Sequence, residues 1–144
     1  QDVSCIVMGG HGPTMVPLTR TASVGGGPLT DLLSQKKIDS IVKRVQEAGT
    51  ELVKLYGKGS AFFSPAAAIT EMIEAYLKDK KRVIPSAAYC TGEYGINGYF
   101  IGVPAIIGGN GVEKILEVNL TKEEQAQLKA TVNKVKDTVF ETGL

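Results

Sequence analysis

Residues 3–18 read VSCIVMGGHGPTMVPL, and the fold turns on how that stretch is divided. Residues 3–8 are an apolar, β-rich run, Gly9-Gly10-His11-Gly12 breaks it, and residues 16–18 resume it. The pattern predicts strand, loop, short strand. The loop carries His11, the only histidine of the chain. Histidine is the side chain that exchanges a proton near neutrality, and flanking glycines let backbone and ligand approach closely. His11 is therefore the candidate general acid/base, against the plain alternative of an ordinary surface-loop residue.

Beyond the loop, residues 19–27 show no periodicity, and Gly25-Gly26-Gly27-Pro28 reads as a surface turn leading into helix. It lacks both the lysine of a P-loop and the G-x-G-x-x-G spacing, so no phosphate site is expected there. Over residues 34–56, Ile38, Ile41, Val42, Val45, Leu52 and Val53 recur at intervals of three and four, which predicts a long helix with its charges outside and a bend or close contact at Gly49. Ser64-Pro65 supplies an N-cap and a first helical residue for a second helix with Ile69, Met72, Ile73, Tyr76 and Leu77 on its stripe. Lys78-Asp79-Lys80-Lys81-Arg82 reads as a solvated, positive C-terminal cap. Residues 82–91 and 99–107 pair as an antiparallel hairpin, and the turn at 108–111 leads into an extended 112–118. Thr121 with Glu124 is a capping box opening a last helix with Leu128, Val132, Val135 and Val139 on one face. Antiparallel strands with long packed helices make an α+β class, and one domain over residues 1–144 is expected.

Composition narrows the function. Sixteen Lys+Arg stand against fifteen Asp+Glu, so there is no basic excess to hold a phosphate backbone and nucleic-acid binding is disfavoured. The longest apolar runs fall well short of the roughly 20 residues that cross a bilayer. With no signal peptide at the start, the expectation is a cytoplasmic chain off the membrane. Cys5 and Cys90 lie far apart in apolar runs and are expected to be buried, reduced thiols rather than a disulfide. One histidine and two scattered cysteines do not make a structural zinc site, and no metal is expected. Asn119-Leu120-Thr121 fits a glycosylation pattern that has no consequence without a secretory route.

GGHGPTMVPL resembles the catalytic-histidine loop of the malate/lactate dehydrogenase family, written GGHGD-x-MVPL in the malate branch. Gly59-Ser60-Ala61-Phe62-Phe63-Ser64-Pro65-Ala66, Arg82-Val83-Ile84-Pro85, Gly92-Glu93-Tyr94-Gly95-Ile96, Gly102-Val103-Pro104 and Gly109-Asn110-Gly111-Val112-Glu113-Lys114-Ile115 follow in the family's order and spacing. The resemblance implies the C-terminal, substrate-binding half of such an enzyme, with the Rossmann half absent. It implies that His11 accepts the hydroxyl proton in malate oxidation and donates it in oxaloacetate reduction while NAD takes or gives the hydride. A carboxylate that orients the imidazole and the arginines that clamp substrate carboxylates are expected upstream of Gln1, so the chain alone should not catalyse. Ser60 and Ala61 match positions that line the substrate pocket, and Pro65 matches one at the nicotinamide end. Read without the resemblance, Ser60 is a turn residue, Ala61 small core and Pro65 a helix starter. Ser60-Ala61 replaces the tyrosine-threonine pair of lactate enzymes and favours malate. Pro13 stands where the family has aspartate. The implied partners are an N-terminal NAD-binding half, malate and oxaloacetate, and further copies in a homodimer or homotetramer. The competing readings are half of a lactate or other 2-hydroxyacid dehydrogenase, and a non-catalytic oligomerisation fragment.

Overall fold

The apolar run at the start forms two short strands instead of one: β1 (Val3–Ser4) and β2 (Val7–Gly9), interrupted at Cys5 and Ile6. After the His11 loop comes β3 (Met15–Pro17), followed by β4 (Ser23–Val24), β5 (Gly27–Pro28), α1 (Leu29–Leu32) and α2 (Gln35–Tyr56). Then follow α3 (Phe63–Leu77), β6 (Arg82–Thr91), β7 (Asn97–Gly108), β8 (Gly111–Ile115) and α4 (Lys122–Glu141). The computed structural model describes residues 2–143 and divides into two units, one up to residue 47 together with the stretch from 119 onward, the other residues 48–118. The α+β class with antiparallel strands and long helices is as expected.

In the first unit β2 and β3 pair antiparallel with Met8 opposite Val16, and Met8, Val16 and Leu18 are buried beneath α4. Strands β1, β4 and β5 form a separate three-stranded sheet. Its hairpin turn is Gly25-Gly26, with φ of 57° and 87°, the mirror-image turn whose two central residues must both be left-handed. The glycine cluster is thus a strand connection, invisible to periodicity because the strands it joins are two residues long. Cys5 falls in the break between β1 and β2 and is exposed, which corrects the expectation of a buried thiol; Cys90 is buried, and both are free. At α4 the capping box is formed in full. Thr121 Oγ1 accepts from Glu124 N at 3.2 Å while Glu124 accepts from Thr121 N at 2.8 Å. The same carboxylate accepts from Arg20 Nε at 3.0 Å, and the Arg20 guanidinium also reaches the carbonyl of Asn119. Helix α4 buries Leu128, Thr131 and Val132, so its apolar stripe includes one hydroxyl.

In the second unit α3 begins two residues earlier than the serine suggests. Phe62 is the N-cap, without a side-chain bond, and Ser64 and Pro65 lie in the first turn, where a proline costs the helix no hydrogen bond. Helix α3 packs on β7 and buries only Ala75. Strands β6 and β7 pair from Arg82↔Ile107 to Thr91↔Asn97 with a bulge after Cys90, and β8 pairs back on β7. One face of this hairpin, with Ala88, Cys90, Ile101, Val103, Ala105 and Ile107, is buried. The opposite face is also apolar, and there Tyr89 and Phe100 sit as an edge-on pair with ring centroids 5.2 Å apart. The charged run after α3 is not simply a solvated cap. Lys78 and Lys80 pair with Glu74 at 2.6 and 3.0 Å and hold its carboxyl at about 2. Lys81 bridges Glu113 and Asp79, Asp79 accepts from Gly109 N at 2.7 Å, and Arg82 pairs with Glu71.

The loop between β6 and β7 is held by Tyr94, which adopts a left-handed φ of 55°. Its hydroxyl donates to Leu116 O at 2.5 Å and accepts from Val118 N at 2.9 Å, and its own N–H donates to Glu117 at 2.9 Å. Among the described residues no helix is long and apolar enough to cross a membrane.

Thr121→Ala should cost about 1 kcal/mol, the usual worth of such a cap, and a urea melt should show the midpoint falling with the slope unchanged. Tyr94→Phe should cost more, about 1–3 kcal/mol, because it strands a carbonyl and an N–H together. The same melt ranks the two variants.

Candidate active site

His11 stands at the exit of β2. Gly9 and Gly12 take φ of 84° and 73°, and between them His11 is extended, at φ −90° and ψ 143°. Residues 12–14 then make one turn of 3-10 helix, closed by Met15 N donating to Gly12 O. Pro13 lies in the first turn of that helix, where its missing N–H has no bond to give up. The imidazole is exposed, and among the described residues no side chain hydrogen-bonds to it. What holds His11 is its backbone.

Two long-range bonds fix that backbone. Thr131 Oγ1, on α4, donates to Thr14 O at 2.6 Å, and Gln46 Nε2, on α2, donates to Met15 O at 3.1 Å. Thr131 is 2% exposed. A β-carbon added at Gly9 would lie 3.0 Å from Thr14 O and 3.2 Å from Thr131 Oγ1, and one at Gly10 would overlap Thr14 Oγ1. The glycines before His11 are thus required by contact with the loop's own far side. Neither Gln46 nor Thr131 was expected from the sequence. The signal for Thr131 was present, a hydroxyl on an otherwise apolar helix stripe, whereas Gln46 carries none.

Ser60 and Ala61 lie together in the short connection from α2 to α3, Ser60 exposed and Ala61 half-buried, and Pro65 is exposed in the first turn of α3. These three are neighbours in the second unit, while His11 belongs to the first. Aromatic rings flank the connection: Tyr56 stacks with Phe62 at 6.1 Å between centroids, and Phe63 lies tilted against Phe62 at 4.7 Å. They hold the ends of α2 and α3 at this junction. Among the described residues no three His, Cys, Asp or Glu gather as a metal site. Burial pushes the Cys90 thiol up, so it is not an activated nucleophile.

Residues 1–142 match the family described as lactate/malate dehydrogenase, alpha/beta C-terminal domain. A malate dehydrogenase of Anaeromyxobacter dehalogenans is 52% identical over all of this chain and 46% of its own length. Among solved structures, the malate dehydrogenase of Salinibacter ruber superposes with a TM-score of 0.96 at 48% identity, covering 99% of this chain and 46% of that one. A lactate dehydrogenase of Cryptosporidium parvum, complexed with lactic acid and β-nicotinamide adenine dinucleotide, gives 0.90 at 49% identity over 94% of this chain and 44% of its own. The chain therefore spans less than half the length of these relatives. It belongs to the lactate/malate dehydrogenase family and matches that family's C-terminal domain.

Proposed function

We propose that this chain is the substrate-side half of an NAD-dependent malate dehydrogenase and that His11 exchanges the proton of the substrate hydroxyl. The observation that carries the reading is the His11 loop: an exposed imidazole on a backbone clamped by two helices, with glycines on either side where a substrate must come close. In oxidation the neutral His11 ring takes the proton from the malate hydroxyl. In reduction its protonated form returns that proton to the oxygen of oxaloacetate. Ser60 and Ala61 line the substrate pocket, small enough to leave room for a second carboxylate.

NAD supplies the hydride acceptor, and most of its contacts belong to a nucleotide-binding half. The glycine-rich stretch of this chain is committed elsewhere, since Gly25 and Gly26 make the β4–β5 turn; Pro65 offers only an exposed apolar ring to the nicotinamide end. The carboxylate that orients His11 and the arginines that grip the substrate come from that other half. The bare apolar surface of α3, where Phe63, Ile69, Ile73, Tyr76 and Leu77 are 49–73% exposed, supports a partner half or further copies in a homodimer or homotetramer. The same surface favours a second reading, a fragment that only mediates association. The two part on activity.

In the assembled enzyme, His11→Asn should lower kcat at least about a hundredfold, the scale of general acid–base catalysis, with little change in NAD affinity. Malate oxidation needs the neutral ring and oxaloacetate reduction the protonated one, so the two directions should show opposite pH limbs around one group. Steady-state rates in both directions from about pH 5 to 9 check this; a variant with normal kcat leaves only the association reading. Calorimetric titration of the isolated chain with NAD should show little or no heat of binding, because the pyrophosphate contacts are made by a Rossmann helix N-terminus.

A further inference from the structure

We propose that Thr131 and Gln46 are positioning residues for His11, each donating a hydrogen bond to a carbonyl of residues 14–15 and so setting the place from which the imidazole exchanges its proton. The inference rests on the reading of His11 as the proton-transfer group, and it names what makes that reading work. Among the described residues the ring has no partner of its own, so its place in this chain is set by its backbone. That backbone leaves β2 at Gly9, turns at Gly12, and returns at β3. Both clamps grip the return side. Thr131 holds Thr14 O at 2.6 Å from α4, and Gln46 holds Met15 O at 3.1 Å from α2. The pull is transmitted to the outgoing side by contact, because Gly9 and Gly10 lie so close to Thr14 and Thr131 that a β-carbon at either would have to displace them. A shift at Thr14 therefore moves His11.

The Thr131 bond has the features of a specific device. It is made in the interior, where Thr131 is 2% exposed, so an apolar residue would have been the default for packing α4. A buried hydroxyl is retained at a cost unless it finds an acceptor, and Thr14 O, in the half-buried loop, is that acceptor. The geometric demand of proton transfer supplies the reason, since a displacement of about 1 Å at the reacting group can cost a hundredfold in rate.

The test uses the full-length enzyme that contains this chain, with the variants Thr131→Val, Thr131→Ser, Gln46→Met and His11→Asn. The readouts are kcat, KM for malate and NAD, and the primary isotope effect with malate deuterated at C2. Thr131→Val keeps the shape and removes the donor. It should lower kcat between about tenfold and a hundredfold, leave KM for NAD unchanged, and raise the isotope effect on kcat as chemistry replaces a conformational or release step as the slow one. Thr131→Ser, which restores the donor, should recover most of the rate, and Gln46→Met should move kcat and the isotope effect in the same direction by less. A role confined to stability would lower the melting temperature of Thr131→Val while leaving kcat and isotope effect at wild-type values in the folded enzyme, and that result overturns the proposal. Should Thr131→Val fail to fold, Gln46→Met decides: wild-type kcat and isotope effect there overturn it. If His11→Asn is as active as wild type, the reading of His11 falls and the positioning role with it; if only the clamp variants are silent, the positioning role alone falls.

Discussion

The contact on which the first unit depends is the one between Gly9-Gly10 and the Thr14–Thr131 pair. It is a steric constraint before it is a hydrogen bond, since a β-carbon at Gly9 or Gly10 would push against the turn that follows β2. Once that approach is made, Thr131 can reach the Thr14 carbonyl from α4, and the helix is seated over β2 and β3 with Leu128 and Val132 buried beside it. The hydrogen bond ties together residues 117 apart. It joins the first turn of the chain to its last helix, and the capping box, with Arg20 on the shared Glu124 carboxylate, anchors the start of the same helix to the same end of the chain.

How much of this could be read in the sequence depends on the range of the interaction. Elements whose cause is local were legible. The i, i+3, i+4 recurrence of Ile38, Val42 and Val45 marks α2, Thr121 and Glu124 mark the start of α4 to the residue, and the β6–β7 hairpin falls where two apolar runs flank a glycine loop. Elements of two residues were not legible, because β1, β4 and β5 are too short to carry a period of two. The start of α3 shifted for a different reason. Phe62 stacks on Tyr56 and tilts against Phe63, and the helix begins there without a side-chain cap, which leaves Ser64 inside the first turn with its N-cap preference unused. Cys5 was misplaced because the strand it was read into breaks at that residue.

The site shows the same division. His11 and its glycines announce themselves, since a lone histidine between glycines at the end of an apolar run is a local pattern. The residues that hold the loop do not, because Gln46 and Thr131 lie 31 and 117 positions from the carbonyls they bind, and nothing in either neighbourhood points to the loop. Ser60, Ala61 and Pro65 stand between these cases. Their positions in the α2–α3 connection follow from the helices on either side, but their chemistry is too plain to identify a pocket without the family likeness.

The second unit carries more apolar surface than it buries. Both faces of the β6–β7 hairpin are apolar although one is buried and the other leaves Val83, Tyr89 and Phe100 exposed, and an antiparallel sheet that faces water on one side normally alternates. Helix α3 goes further, burying a single alanine while Phe63, Ile73 and Leu77 are half or more exposed. Exposed apolar patches beyond a few hundred Å² promote association. The first unit is arranged the other way: its catalytic candidate is exposed, yet the loop behind it is fixed by two half-buried bonds from α2 and α4. On the proposed reading the two follow from one division of labour. This half sets the backbone from which the proton moves, and leaves to a partner the carboxylate that turns the ring and the surface that closes over α3. On that reading the chain fixes its loop geometry by its own contacts and takes the electrostatics of proton transfer from the other half.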